Sequence, residues 1–168
     1  ANSYKAMTVD ALKEFRDLVN TGVTFGGKTV YLGADLDLKN EAWTPIGSGV
    51  AVGSNVSTPS DAMMVEGAAA AKAKFMGTFD GQGFTISNLT VKVTGNSPAG
   101  LFGDTSGATI KNVTVKNVNI SGNYRAAGIV AHGLCLRMEN CHVDGGSISS
   151  TPWKASGDKY DDANQVGG

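Results

Sequence analysis

Few residues in this chain are arranged as reactive chemistry requires. The two histidines, His132 and His142, lack a flanking glutamate and fall on different expected strands, so the H-E-x-x-H pattern of zinc peptidases is absent. A G-x-S-x-G elbow, a P-loop and a G-x-G-x-x-G turn between strand and helix are absent too. Asp35 and Asp37 stand two apart on one expected strand face and could pair as carboxylates, although satisfying a turn is the simpler role. In the tail, Asp158, Asp161 and Asp162 with Asn164 gather oxygens of the kind calcium prefers, without EF-hand spacing. Calcium is the one cofactor these residues suggest, and a solvated loop is the plainer reading.

The remaining candidates are contact residues. Tyr124, Trp153 and Tyr160 lie in expected loops, where aromatic rings can stack on the apolar faces of sugars or anchor a protein partner; Arg125 adjoins the first. Lys92, Lys116 and Asp144 are expected to stack outward, one per coil, as a solvated face or a contact for an anionic glycan. Cys135 and Cys141 form no C-x-x-C pair; Cys141 reads as a small buried hydrophobe and Cys135 as a residue near a turn.

The framework must come from the rest of the chain. Its 168 residues, 41% apolar and 17% charged, suffice for one domain with a core. Fourteen basic residues against fifteen acidic ones give a net charge of −1, which removes the electrostatic motive for nucleic acid as partner. No apolar run approaches the ~20 residues of a spanning helix. The 23 glycines follow no Gly-X-Y period and only four prolines accompany them, so they belong to turns rather than to collagen or disorder.

Residues 8–20 predict one amphipathic helix, with Val9, Leu12, Phe15, Leu18 and Val19 on a single face, Thr8 as N-cap and Asp10 in the first turn. From Phe25 the period becomes two, as in half-buried strands. Residues 48–74 break the pattern and read as an insertion. From about residue 75 the chain repeats itself. Ile86-Ser87-Asn88-Leu89-Thr90-Val91 is echoed by Ile110-Lys111-Asn112-Val113-Thr114-Val115 and by Met138-Glu139-Asn140-Cys141-His142-Val143, at offsets of 24 and 28. Ala99-Gly100-Leu101-Phe102-Gly103 returns as Ala127-Gly128-Ile129-Val130-Ala131.

Such periodicity predicts an all-β solenoid, a short parallel β-helix with an N-terminal capping helix, occupying residues 1–168 as one domain. Ile86, Ile110 and Met138, with Val91, Val115 and Val143, should form inward ladders. Asn88 and Asn112 sit in N-x-S/T sequons, but Asn140 keeps their phase without one. A stacked turn amide therefore explains them better than glycosylation does.

These phrases, with Trp43-Thr44-Pro45-Ile46-Gly47 and Phe75 to Leu89, resemble bacterial surface proteins carrying GLUG-type repeats. The resemblance implies a right-handed parallel β-helix, secreted or held at the bacterial cell surface, and adhesin-like. Similar repeats occur outside the catalytic domain of immunoglobulin A-cleaving metallopeptidases. The expected function is a non-catalytic module displaying loops to host glycan or protein. A polysaccharide lyase or glycoside hydrolase is the enzymatic alternative, by fold analogy. A structural spacer or assembly unit is the other. The Gly-containing phrase begins again at Val166-Gly167-Gly168, so the natural chain is expected to continue, and the open end to meet further repeats or another copy.

Overall fold

The computed structural model describes residues 3–48, 73–94, 97–151 and 165–167. Strands β1 (Ser3–Ala6), β2 (Thr29–Leu32), β4 (Thr78–Asp80), β8 (Thr109–Gly122) and β11 (Arg137–Ser150) stack in parallel, each under the next. Alongside them β3 (Leu36–Asp37), β5 (Thr85–Ser87) and β8 form a second stack, and β6 (Thr90–Lys92) pairs with β8 further along. The remaining faces join β7 (Phe102–Ser106) to β10 (Val130–Leu134) and β9 (Arg125–Ala127) to β12 (Gln165–Gly167). The chain is a β-solenoid of about four parallel turns.

Helix α1 (Val9–Asn20) follows β1, a strand that the sequence patterning did not reveal. Thr8 caps the helix through its side chain, which accepts the Ala11 N–H at 3.1 Å, with Asp10 in the first turn. Leu12, Phe15 and Val19 are fully buried, so the helix closes the first coil as expected. Phe15 meets Phe25, Phe75 and Phe79 at ring-centroid distances of 5.0, 5.5 and 6.1 Å. Truncating a phenylalanine so placed typically costs about 3–5 kcal/mol.

The inward ladders exist, but two follow a different register from the expected one. Met138 lies over Ile110 and Val143 over Val115. Ile110, however, covers Phe79 rather than Ile86; Ile86 lies under Val115 and Val91 under Ile120. The offset of 24 between the first two phrases is thus a local echo along the coil. The turn of the solenoid is the longer 28 to 31 residues shown by Met138 on Ile110 and Ile110 on Phe79.

The corners explain both the echo and the asparagines. Gln82, Asn88, Asn112, Asn117 and Asn140 have φ of 52°, 57°, 55°, 53° and 49°, the left-handed region that asparagine tolerates better than other non-glycine residues. The four asparagine amides stack between coils in two ladders rather than one. In the first, Asn140 Nδ2 donates to Asn112 Oδ1 (3.2 Å) and Asn112 Nδ2 to Asp80 Oδ1 (3.1 Å). In the second, Asn117 Nδ2 donates to Asn88 Oδ1 and Asn88 Nδ2 to Asp37 Oδ1, both at 2.7 Å. Asn88 and Asn112 belong to different ladders. Each ladder ends on an aspartate, an acceptor-only group, which fixes the direction of every amide above it.

Replacing Asn112 separates its two roles. Asn112→Gly keeps the left-handed backbone and cuts the ladder, whereas Asn112→Val also forces a β-branched residue into that conformation. Urea unfolding should show both variants destabilised, the valine form by about 1–3 kcal/mol more; equal losses would show that backbone strain plays no part.

Candidate functional site

One residue ties three segments together. Asp104, on β7, is buried; its N–H donates to Gly47 O at 2.6 Å and its C=O accepts from Phe75 N–H at 3.2 Å. The expected insertion therefore leaves and re-enters the solenoid at one point, with both ends fixed to the same residue of the next coil. Residues 49–72 themselves lie outside the described residues. The approach at Gly47 is close enough that a Cβ there would strike the Asp104 carbonyl, and one at Gly103 the Gly47 carbonyl. The Asp104 carboxylate continues the tie upward, its Oδ1 lying 3.1 Å from His132 Nδ1. This pair was missed in the sequence, although Asp104 and His132 stand 28 residues apart, the spacing that joins Phe102 to Val130.

Beside this anchor, a recess of ≈ 260 Å³ is lined by Trp43, Pro45, Lys92, Thr94 and Pro98 among others. Trp43 floors it: its Nε1–H donates to Leu101 O at 3.2 Å, and the Arg16 guanidinium lies 4.8 Å from the ring centre. Lys92 accordingly belongs to this recess and pairs in register with Ser121, not with Lys116. The expected three-residue stack reduces to Lys116 and Asp144, 3.9 Å apart and exposed, worth under about 1 kcal/mol. They border a second groove with Ser87, Asn88, Asn117 and Gly145. Tyr124 and Arg125 occupy another corner, where the guanidinium covers the ring at 4.7 Å. Trp153, Asp158, Tyr160, Asp161 and Asp162 lie outside the described residues.

The carboxylates are committed to backbone hydrogen bonds, Asp37 within its turn and Asp35 across to the next coil. Asp35 Oδ1 accepts the Thr85 N–H and Asp37 Oδ1 the Lys39 N–H, both at 2.8 Å. At Asp80 burial opposes the charge. Hydrogen bonds from Gln82 N–H and Asn112 Nδ2, with Lys111 at 3.5 Å, outweigh it and hold the carboxyl below its ordinary value. Among the described residues no three histidine, cysteine, aspartate or glutamate side chains gather as a metal site. Cys135 is exposed and Cys141 half-buried, and both are free thiols. Burial, seconded by the charge of Glu139, pushes the Cys141 thiol up.

No family model matches the chain, and no solved structure matches it. Over 100 residues it is 33% identical to the immunoglobulin A1 protease of Streptococcus sanguinis, covering 56% of this chain and 5% of that protein. Over 50 residues it is 50% identical to halomucin of Haloquadratum walsbyi, covering 29% of this chain and a share of halomucin that rounds to 0%. The chain thus spans only a small part of each curated relative. With its stacked coils, it is a β-helix repeat protein that resembles a region of the streptococcal protease. No helix among the described residues is long and apolar enough to cross a membrane.

Two outcomes follow from the site's electrostatics. Because Asp80 has a depressed folded-state pKa, its contribution to stability is present above the unfolded value of about 3.9 and is lost as pH falls through the lower folded value. Acid titration of unfolding should therefore show a loss of stability below about pH 4 that Asp80→Asn reduces. Alkylation at pH 8 should modify Cys135 well before Cys141; equal rates would contradict the burial of the second thiol.

Proposed function

We propose that this chain is a non-catalytic module, secreted or held at a bacterial cell surface, that presents its insertion and corner loops to host glycan or protein. The observation that carries this reading is that Gly47 and Phe75, on either side of the expected insertion, both hydrogen-bond to the main chain of buried Asp104, so the chain leaves the solenoid and returns to it at one residue. Loops held by a rigid scaffold are the usual carriers of binding. The Trp43 recess beside that point, with Lys92 at its edge, offers an apolar floor and a cation suited to an acidic sugar.

The comparisons support the setting. The matched region is a small part of a protein named as an immunoglobulin A1 protease, in keeping with a GLUG-type repeat module that accompanies a catalytic unit. The carboxylates Asp35, Asp37 and Asp80 are spent on backbone and ladder hydrogen bonds, which leaves them poorly suited to the paired acid and base of a glycosidase.

A glycan array followed by product analysis tests the proposal. The expected result is retention of acidic glycans without release of unsaturated or reducing-end sugars, and weakened retention in Lys92→Ala. Product formation would replace this reading with a glycan-active enzyme, and an absence of binding to glycans and host proteins alike would favour a structural spacer.

A further inference from the structure

The two asparagine ladders differ at their third rung. In the first, Asn140 follows Asn112, and its Oδ1 lies 3.1 Å from His142 Nε2. In the second, Gly145 lies over Asn117, between the register pairs Asp144 on Lys116 and Gly146 on Val118. Gly145 keeps the left-handed backbone of the corner, with φ of 73° against 53° at Asn117 and 57° at Asn88, but brings no amide. The difference belongs to Gly145 itself, whatever lies beyond β11, because the position directly above Asn117 is held by a residue without a side chain. A Cβ there would meet no described residue beyond its chain neighbours within 4 Å.

The consequence falls on Asn117. Its Nδ2 donates to Asn88 Oδ1 and Asn88 Nδ2 donates to Asp37 Oδ1, so every amide of this ladder points an N–H toward the aspartate. Amides aligned in this way polarise one another, and the negative end of the chain is Asn117 Oδ1. Among the described residues no donor reaches that oxygen. It belongs to a groove of ≈ 480 Å³ that Ser87, Asn88, Lys116, Asp144 and Gly145 line with it. That volume falls within the roughly 300–1,000 Å³ usual for small-molecule sites.

The charges of the groove cancel. Lys116 and Asp144 face each other at 3.9 Å, whereas the described lining of the Trp43 recess sets no acid against Lys92. At 3.9 Å the pair is too long for a hydrogen bond, so the ammonium keeps its donors and the carboxylate its acceptors to offer. A neutral ligand that carries a carboxamide matches this arrangement. Its N–H would complete the rung by donating to Asn117 Oδ1, as Asn117 itself donates to Asn88, and its carbonyl would accept from Lys116. An N-acetylated sugar adds hydroxyls beside its acetamido group, which can donate to Asp144. The side chain of a glutamine or asparagine in a protein partner supplies the amide alone and leaves Asp144 unmatched.

We infer that the groove at Gly145 is a subsite for the acetamido group of an N-acetylated sugar, an inference that rests on the proposed reading of the chain as a module that meets host glycan. Nuclear magnetic resonance titration of the isotope-labelled chain with N-acetylglucosamine and with glucose tests it. N-acetylglucosamine should shift the Asn117 side-chain amide and the Gly145 backbone amide in a saturable, millimolar titration, and glucose should bind at least about tenfold more weakly. Gly145→Asn supplies the missing amide from within; checked by circular dichroism, it should keep or gain thermal stability and lose the N-acetylglucosamine response. Asp144→Ala should weaken that response without unfolding the chain. An equal response to glucose, no response at Asn117 and Gly145, binding indifferent to Gly145→Asn, or tighter binding of a glutamine-containing peptide would each overturn the inference, even where acidic glycans are still retained through Lys92.

Discussion

Each coil of this protein depends on the next for its backbone hydrogen bonds. A parallel strand has no partner within its own turn, so a coil can bury its polar backbone only by lying in register on its neighbours. Sideways shifts are costly, because a slip of one residue turns the inward set outward. This constraint decides where the corners fall, and the corners decide what the surface can present. Asparagine solves two problems at a corner, since it accepts a left-handed backbone and its amide can bond to the coil below. Asp37 and Asp80 finish the ladders at the end nearer α1. An aspartate there supplies acceptor oxygens where a further amide would need another partner.

That logic also shows what the amino-acid sequence makes legible. Helix α1 with its Thr8 cap, the switch to period two and the solenoid itself can all be read from apolar spacing and repeated phrases. The register between the second and third coils cannot, because an apolar residue two places before an asparagine recurs at several corners, as in Ile86-Ser87-Asn88, Ile110-Lys111-Asn112 and Val115-Lys116-Asn117. One coil holds two corners, Asn112 and Asn117, so Asn88 has two candidates above it, and resemblance of phrases selects the wrong one. Backbone pairing settles the matter through Thr85 on Thr114, which brings Asn88 under Asn117. The same slip misplaces Lys92, which leaves the Lys116 and Asp144 face and joins the Trp43 recess.

The contacts that sequence reading missed share one cause. Arg16 and Trp43 lie far apart along the chain, and so do Gly47 and Asp104; only the closing of a turn makes them neighbours. Asp104 and His132 are different, being separated by the period seen in the glycine phrases. Their pairing was recoverable by asking which polar residues, as well as which apolar ones, recur at that offset. Polar residues are easily overlooked in such a search because most face water and follow no ladder.

Asp104 shows how a solenoid holds together the two points where a long segment joins it. An insertion joined to a hairpin would meet its scaffold at two strands, each free to shift with the sheet. Here both ends bond to the main chain of one buried residue, whose carboxylate also reaches the next coil at His132. Any movement of the base would have to break hydrogen bonds in two adjacent coils, in a region where Gly47 and Gly103 leave no space for adjustment by side chains. The stiffness comes from the stack as a whole, since Phe75 beside this anchor packs on Phe15 of α1 and on Phe102 of β7 at 5.5 and 5.4 Å. The helix that closes one end therefore reaches Phe75, beside Asp104, through a continuous aromatic contact.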